Sequence, residues 1–184
     1  MLETELKCII NKETFQKISL SYKWDEIITQ TNHYYRSYND ELKKHGITMR
    51  IREIQSKIKL QIKKHTNSDS PLQICEESEF EIPTIVPYFT EKEVEDYTGV
   101  KTEAFLIGSA TTKRYSLMWD KTTEICLDHT TYLDKEDFEI EVEFVRECPQ
   151  KLLEELKTLG VEFRENSQGK YSRFIKRFKE LQKN

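Results

Sequence analysis

The first residues of the chain place two acids and a base at alternate positions. In the stretch LETELKC, the side chains of Glu3, Glu5 and Lys7 are two residues apart. Because side chains alternate between the faces of a strand, all three project from one face if this stretch is extended. Carboxylates can hold a hard divalent cation, and a lysine can hold phosphate oxygens. The stretch therefore indicates either a solvated sheet face or a site for metal and phosphate.

Other stretches repeat this alternation, and each carries one sign of charge. Bases share a face in segments 49–53 and 57–63, and acids share a face in segments 77–81 and 139–143. The residues are Arg50, Arg52, Lys57, Lys59, Lys63, Glu77, Glu79, Glu81, Glu139, Glu141 and Glu143. A solvated face remains the alternative for each strand taken alone. However, solubility surfaces usually intersperse the signs, so the separation favours an enclosed face that binds metal and a polyanion.

The remaining pattern predicts the elements that carry these residues. Strands are predicted at 3–10, 26–37, 47–54, 57–64, 73–82, 104–119, 124–132 and 137–146. Helices are predicted after Asn11, at 90–97, after Pro149 and in the basic tail 170–183. We expect a single domain, 1–184, with two βαβββ-like halves at about 1–65 and 73–146 and a helical C-terminal tail at 149–184. Eight mainly antiparallel strands can close into a barrel, which removes exposed edges.

Composition limits the partners and the compartment. The chain has 184 residues and a net charge of −4, so it has no general attraction to nucleic acid or to an anionic membrane. No apolar run approaches the roughly 20 residues needed to span a bilayer, and no secretory signal is recognised. The four cysteines form no CxxC pair, which indicates free thiols. We therefore expect a cytoplasmic monomer or homodimer without nucleic-acid or membrane partners.

In this order and spacing, the motifs resemble those of the CYTH family, also called triphosphate tunnel metalloenzymes, and most closely its small single-domain bacterial branch. The resemblance covers nearly the whole chain. It is carried by ExExK at 3–7, RIR at 50–52, LQIK at 60–63, TKR at 112–114, CLD at 126–128, EIEVE at 139–143, and Lys170 with Arg173. It implies an α+β fold, namely a wide eight-stranded antiparallel β-barrel that forms a tunnel and has flanking helices. It also implies triphosphate-containing substrates and a requirement for Mg²⁺ or Mn²⁺.

The resemblance also implies a role for each matching residue. The metal would be held by Glu3, Glu5, Glu139, Glu141 and Asp128. The phosphates would be held by Lys7, Arg50, Arg52, Lys63, Arg114, Lys170 and Arg173. Asp128, Glu141 and Lys7 are the predicted catalytic residues. Further candidate members of the site are Lys59, Glu77, Glu79 and Glu143.

The predicted reaction is metal-assisted hydrolysis of a terminal phosphoryl group, with inorganic triphosphate as the preferred substrate. One alternative is another triphosphate chemistry in the same tunnel, namely a thiamine triphosphatase, a nucleoside triphosphatase or an adenylate cyclase. That alternative requires recognition of an organic head group. Tyr34, Tyr35, Tyr115 or Trp119 could stack on such a group at a mouth, but packing in the core or at the rim is the expected role of each. A second alternative is a non-catalytic polyphosphate or nucleotide sensor.

The four histidines, His65 among them, are predicted to have surface or turn roles. The basic tail is expected to be either a solvated helix or a lid over one mouth of the tunnel.

Overall fold

The computed structural model describes the backbone of residues 2–66, 72–163 and 168–183, and the side chains of 4–65, 74–163 and 168–183. Within these ranges the strands are β1 (Leu2–Ile10), β2 (Glu26–Ser37), β3 (Ile47–Ile54), β4 (Lys57–Thr66), β5 (Leu72–Glu81), β6 (Tyr88–Phe89), β7 (Ala104–Met118), β8 (Thr123–Tyr132) and β9 (Lys135–Phe144). The helices are α1 (Lys12–Ser21), α2 (Glu41–Lys44), α3 (Glu91–Thr98), α4 (Gln150–Thr158) and α5 (Lys170–Leu181).

Eight of these strands close into a barrel. Their order is β2-β3-β4-β5-β1-β9-β8-β7, and β7 pairs again with β2. All the pairings are antiparallel, so the predicted eight-stranded antiparallel barrel with flanking helices is confirmed. The short strand β6 pairs with the start of β7. Neither β6 nor α2 was predicted, because a two-residue strand and a single helical turn are too short to show periodicity.

The apolar faces of the barrel strands point outward, where helices cover them. On one side, α1 and α4 cover β8 and β9. The buried contacts there involve Phe15, Ile18, Ile125, Leu127, Ile140, Val142, Leu152 and Leu156. Each fully buried aliphatic or aromatic side chain of this kind contributes about 1.5–3 kcal/mol. Since strand side chains alternate, the charged residues between these apolar ones must face the lumen.

A second apolar layer covers the opposite side of the barrel. It joins β3 and β4 to α2 and α3 through residues that include Met49, Ile51, Leu60, Leu42 and Val94.

Capping residues set the ends of the covering helices. Asn11 Oδ1 accepts a hydrogen bond from the Thr14 N–H at 2.8 Å and so caps α1. Thr90 and Glu93 form a capping box on α3, and Gly99 ends that helix in the left-handed region.

Helix α5 lies inside one side of the barrel. Its aromatic face, formed by Tyr171, Phe174 and Phe178, packs against Tyr34, Ala110 and Tyr132. Phe174 is fully buried. Gly108 of β7 permits this close approach, because a Cβ at that position would lie 2.9 Å from Phe174 Cζ. Gly108 also has a φ of +139°, which side-chain-bearing residues rarely adopt. The helix therefore fills the β2–β7–β8 side of the lumen.

We predict that Gly108→Ala lowers the free energy of unfolding by about 1–3 kcal/mol, because of both the φ angle and the overlap with Phe174. Urea denaturation measures this loss. The matched control is Gly99→Ala, where φ is +73° but no atom lies within 4 Å of the new Cβ. In Gly108→Ala/Phe174→Leu the overlapping ring is removed, so the double variant is expected to lose less than the sum of the single losses. If the loss in the double variant equals the sum of the single losses, the overlap with Phe174 does not explain the effect of Gly108→Ala.

Candidate active site

The lumen beside α5 contains a cavity of about 820 Å³. The basic residues that line it, within the described part of the chain, are Lys7, Lys43, Arg50, Arg52, Lys63, Arg114, Lys170, Lys176 and Lys179. The acidic residues that line it are Glu5, Glu77, Glu141 and Glu143. These nine cations against four carboxylates contrast with the net charge of −4 of the whole chain. A cavity with this excess of positive charge concentrates anions.

The Lys170 side chain extends from the first residue of α5 into a group of three carboxylates. Its Nζ lies 2.9 Å from Asp128 Oδ2, 2.5 Å from Glu139 Oε1 and 2.7 Å from Glu141 Oε1. The three acids come together because Asp128 pairs with Glu139 across β8 and β9, and Glu141 follows in the same register. Burial alone would lower the pKa of Lys170, but these carboxylates hold it well above its ordinary value.

The pKa values of these three carboxylates shift in opposite directions. Burial alone would raise the pKa of Asp128, but the adjacent Arg114 and Lys170 lower it below its ordinary value. Against the same opposing effect of burial, Lys170 and Arg114 also lower the pKa of Glu141. For Glu139 burial dominates and raises the pKa to about 7. At neutral pH, Asp128 and Glu141 are therefore ionised, whereas Glu139 is near the midpoint of its titration.

Arg114 of β7 holds the same acids from the other side. Its Nε lies 2.9 Å from Asp128 Oδ1 and its Nη2 lies 2.7 Å from Asp128 Oδ2, which is a bidentate pair. The guanidinium also contacts Glu141, and its Nη1 lies 3.9 Å from Glu143. This predicted phosphate-binding arginine is thus already engaged by carboxylates.

Two groups of carboxylates have the spacing to hold a metal ion. Ligand oxygens of Asp128, Glu139 and Glu141 lie within 4.8 Å of one another, as do those of Glu5, Glu141 and Glu143. The second group forms because Glu5 pairs with Glu143 across β1 and β9, and its three members line the cavity. Carboxylate oxygens suit hard divalent cations, so the second group fits the predicted metal. Glu3 lies in β1, but its side chain is outside the described residues.

Arg50 and Arg52 of β3 are held by neutral amides rather than by carboxylates. Arg50 Nε donates to Gln61 Oε1 at 2.8 Å, and Arg52 Nε donates to Asn32 Oδ1 at 3.0 Å. Among the described residues, no carboxylate lies within 4.0 Å of either guanidinium. Burial, and then the neighbouring Arg50 and Arg114, lower the pKa of Arg52 from its ordinary value. Two neutral amides therefore orient two crowded cations, and a bound anion would relieve their repulsion.

The remaining predicted site residues divide between the cavity and its surroundings. Lys7 lies 2.5 Å from Glu5, and Lys63 lies 2.6 Å from Glu77, and all four line the cavity. The other predicted members of the site are Lys59, Glu79 and Arg173, which do not line it. Lys59 forms a half-exposed ion pair of 2.7 Å with Glu79. Arg173 lies 2.7 Å from both Asp137 and Glu139.

The aromatic residues suggested for the mouth lie elsewhere. Tyr34 is buried against Phe174, and the Tyr35 hydroxyl donates to a backbone carbonyl in the outer layer. Tyr115 and Trp119 belong to the outer cluster that contains α1. Among the described cavity residues, Tyr171 is the one Phe, Tyr or Trp side chain. The structure therefore offers the named aromatic residues no contact with an organic head group.

His65, one of the histidines predicted to have surface or turn roles, has an exposed side chain that also borders the cavity. It lies in β4 and lines the cavity, two residues beyond Lys63 in the same register. Its Nε2 lies 3.3 Å from Thr48 Oγ1. Partial desolvation against the cavity wall, and then Lys7 and Lys63, lower the pKa of the exposed His65 from its ordinary value. The period-two alternation of β4 could have identified this residue as a member of the cavity wall.

Comparison with known proteins identifies the family to which this chain belongs. The CYTH domain matches residues 1–175, and the chain belongs to the CYTH family. YjbK of Bacillus subtilis (strain 168), a proposed triphosphatase, is 30% identical over 168 residues, which cover 84% of this chain and 86% of YjbK. The prediction of a phosphohydrolase agrees with the name of that relative.

Solved structures share the fold at lower identity. HpAC1 from Hippeastrum, a proposed adenylyl cyclase described as having a dominant triphosphatase activity, has a TM-score of 0.73 and 23% identity over 95% of each chain. A proposed adenylate cyclase from Bacillus halodurans has a TM-score of 0.68 and 24% identity, over 94% of this chain and 96% of that one. The RNA triphosphatase domain of a mimivirus capping enzyme has a TM-score of 0.59 and 13% identity, over 88% of this chain and 89% of that one.

In the described part of this chain, no helix is long and apolar enough to cross a bilayer.

We predict that Glu139 makes stability fall as pH rises between about 4.5 and 7. Its folded pKa of about 7 exceeds the ordinary 4.5, so in this window the folded state keeps a proton that the unfolded state has lost. The loss is at most on the order of 3 kcal/mol. The lowered pKa values of Asp128 and Glu141 act oppositely, because their stabilisation is lost only in more acidic solution.

The measurement is urea denaturation at pH 5 and pH 8 in the presence of a chelator. Glu139→Gln is expected to remove most of the decrease that the wild type shows between the two pH values. Glu154→Gln, which changes an exposed carboxylate on α4, serves as the control and is expected to keep the wild-type decrease. An identical decrease in all three proteins would contradict the assignment to Glu139.

Proposed function

We propose that the chain is a divalent-metal-dependent triphosphatase, and that its substrate is inorganic triphosphate. The observation that carries this proposal is the pair of arginines, Arg50 and Arg52, which face the cavity without a carboxylate partner among the described residues. A small polyanion matches this charge better than a neutral ligand does. The relatives named as triphosphatases support the same reaction class.

The basic residues bind the substrate and oppose its charge. Arg50 and Arg52 present guanidinium forks to phosphate oxygens, whereas Lys63 and Lys7 act as point charges. The N-terminus of α5 opens onto the same cavity at Gly169, and the N–H groups of its first turn add positive potential. Fixed donors of this kind stabilise the negative charge on a phosphoryl group during transfer.

The carboxylates Glu5, Glu141 and Glu143 would hold Mg²⁺ or Mn²⁺. When bound, such a cation polarises phosphoryl oxygens and lowers the pKa of a coordinated water. Of the predicted catalytic acids, Glu141 lines the cavity and can accept a proton from the attacking water. Asp128 is fully buried and does not line it; both of its oxygens are bonded to Arg114 or Lys170, so its role is to position them.

The two alternative functions receive less support. A thiamine or nucleoside triphosphatase, or an adenylate cyclase, must recognise an organic group, and Tyr171 is the single Phe, Tyr or Trp residue of the described cavity wall. A non-catalytic sensor needs only cations, whereas this cavity also retains Glu5, Glu141 and Glu143 at metal-binding spacing.

Phosphate release from inorganic triphosphate, ATP and thiamine triphosphate, with Mg²⁺, Mn²⁺ or a chelator, tests this proposal. We expect metal-dependent release, fastest from inorganic triphosphate, and a loss of at least about 100-fold in Glu5→Gln, because that variant removes one metal ligand. Preference for ATP or thiamine triphosphate would favour the organic-substrate alternative. Tight calorimetric binding without release would favour the sensor.

We predict that Arg52→Met raises KM for triphosphate by about 10- to 100-fold, because a hydrogen bond to a charged group contributes about 1.5–3 kcal/mol. The same substitution is expected to leave unchanged or raise the melting temperature of the free protein, since it removes a cation crowded by Arg50 and Arg114. Lys59→Met is the control, because Lys59 lies outside the cavity lining. An unchanged KM in Arg52→Met would exclude Arg52 from substrate binding.

A further inference from the structure

Asn32 of β2 carries a buried hydrogen-bond donor that has no acceptor. Its side chain is completely buried, and its Oδ1 accepts the hydrogen bond of 3.0 Å from Arg52 Nε. Within the described part of the chain, nothing accepts a hydrogen bond from its Nδ2. An aspartate has almost the same shape, would leave no buried donor unpaired and would form an ion pair with Arg52. Stability alone would therefore favour aspartate at this position.

The surroundings of Arg52 are positively charged. Burial, and then the charges of Arg50 and Arg114, lower the pKa of Arg52 to about 9. Glu77 attracts Arg52, but among the described residues no carboxylate is in contact with the Arg52 guanidinium. These surroundings would keep an aspartate at position 32 ionised, and its charge would offset the repulsion among the guanidinium groups.

The hydrogen bond from Asn32 also determines which edge of Arg52 is left for a ligand. A guanidinium can present to an anion either Nε with one terminal nitrogen or both terminal nitrogens. Asn32 occupies Nε, and among the described residues neither Nη1 nor Nη2 of Arg52 has a hydrogen-bond partner. Because Arg52 lines the cavity, both terminal nitrogens remain for phosphate oxygens. A neutral oxygen thus holds the side chain and leaves its charge uncompensated.

Gln61 holds Arg50 in a similar way, but its amide is fully bonded. Its Oε1 accepts a hydrogen bond from Arg50 Nε at 2.8 Å, and its Nε2 donates to Glu79. A glutamate at position 61 would bring two carboxylates into contact, so stability alone accounts for the glutamine. No acid occupies the equivalent place beside Asn32 Nδ2, so stability does not account for the asparagine.

We infer that Asn32 is a positioning residue that holds Arg52 for the triphosphate without neutralising it. This inference rests on the proposed function. The amide oxygen fixes the guanidinium through Nε, and its lack of charge leaves Arg52 attractive to the anion. An aspartate in the same place would hold Arg52 equally well but would compete with the substrate for its charge. At Asn32, stability of the free protein is therefore reduced in favour of affinity for the anion.

The test compares the wild type with Asn32→Asp and Asn32→Ala. Calorimetry without added metal gives the dissociation constant for triphosphate, and turnover with Mg²⁺ gives KM and kcat. Asn32→Asp is expected to raise the melting temperature of the free protein. It is also expected to raise the dissociation constant and KM at least about tenfold, with a change in kcat of less than about threefold. Asn32→Ala leaves Arg52 charged but not held, so its dissociation constant and KM are expected to rise by a smaller factor.

The matched control is Asn11→Asp, which makes the same change of amide to carboxylate at the exposed N-cap of α1. Aspartate caps a helix as well as asparagine does, so this variant is expected to bind triphosphate like the wild type. A second comparison places Asn32→Ala in the Arg52→Met background. If Asn32 acts through Arg52, the substitution changes KM there by less than about twofold.

Wild-type affinity in Asn32→Asp, or a lower melting temperature of that variant, would overturn the inference. A larger loss of affinity in Asn32→Ala than in Asn32→Asp would assign Asn32 a packing role, as would an equal rise of KM in the two backgrounds. Triphosphate that binds the wild type but is not hydrolysed would contradict the proposed function alone, because the dissociation constants still test Asn32. If the wild type does not bind triphosphate, both proposals fail.

Discussion

The arrangement of the lumen depends on the Lys170 ammonium and its three carboxylates. Asp128, Glu139 and Glu141 are almost completely buried, and their mutual repulsion would be severe without a cation between them. Because Lys170 is the first residue of α5, this contact fixes the helix by its N-terminus, where the helix dipole also favours nearby acids. Phe174, one turn later, is then directed onto Gly108. One ion-pair cluster therefore decides which side of the barrel is packed and which side stays open.

A barrel with a charged interior needs an apolar exterior that is covered. Here α1 and α4 cover one side and α2 and α3 the other, so the hydrophobic effect stabilises the barrel from outside. Inside, most charges are paired, and the pairs offset the desolvation of their members. Arg50 and Arg52 are exceptions, held by the amides of Gln61 and Asn32. Such cations lower the stability of the free protein and increase its attraction for an anion, which is the usual compromise in a binding site.

Alternation of residue types was sufficient to predict the lumen-facing residues of β1, β3, β4 and β9, because a closed barrel gives every strand one inner and one outer face. Alternation placed Gln61 on the inner face of β4, but it did not show that Gln61 and Asn32 orient the arginines, since a neutral amide adds no charge to the pattern. The predicted role of Arg173 presents a different difficulty. Its position against Asp137 and Glu139 follows from how α5 docks, which is a tertiary property that helical periodicity does not contain. The same docking determines that Lys176 faces the cavity.

Glu141 connects the elements that these contacts position. It belongs to both carboxylate groups, and it contacts Lys170 and Arg114 at the same time. A cation bound among Glu5, Glu141 and Glu143 would draw on the carboxylate that anchors α5, so the free energies of cation binding and of helix docking are linked. This linkage is reciprocal. A change that weakens the contact between Lys170 of α5 and Glu141 increases the affinity of Glu141 for a cation, and cation binding weakens that contact. Because α5 also forms one wall of the cavity, a cation bound among these acids would affect the width of the cavity through the contact of α5 with Glu141.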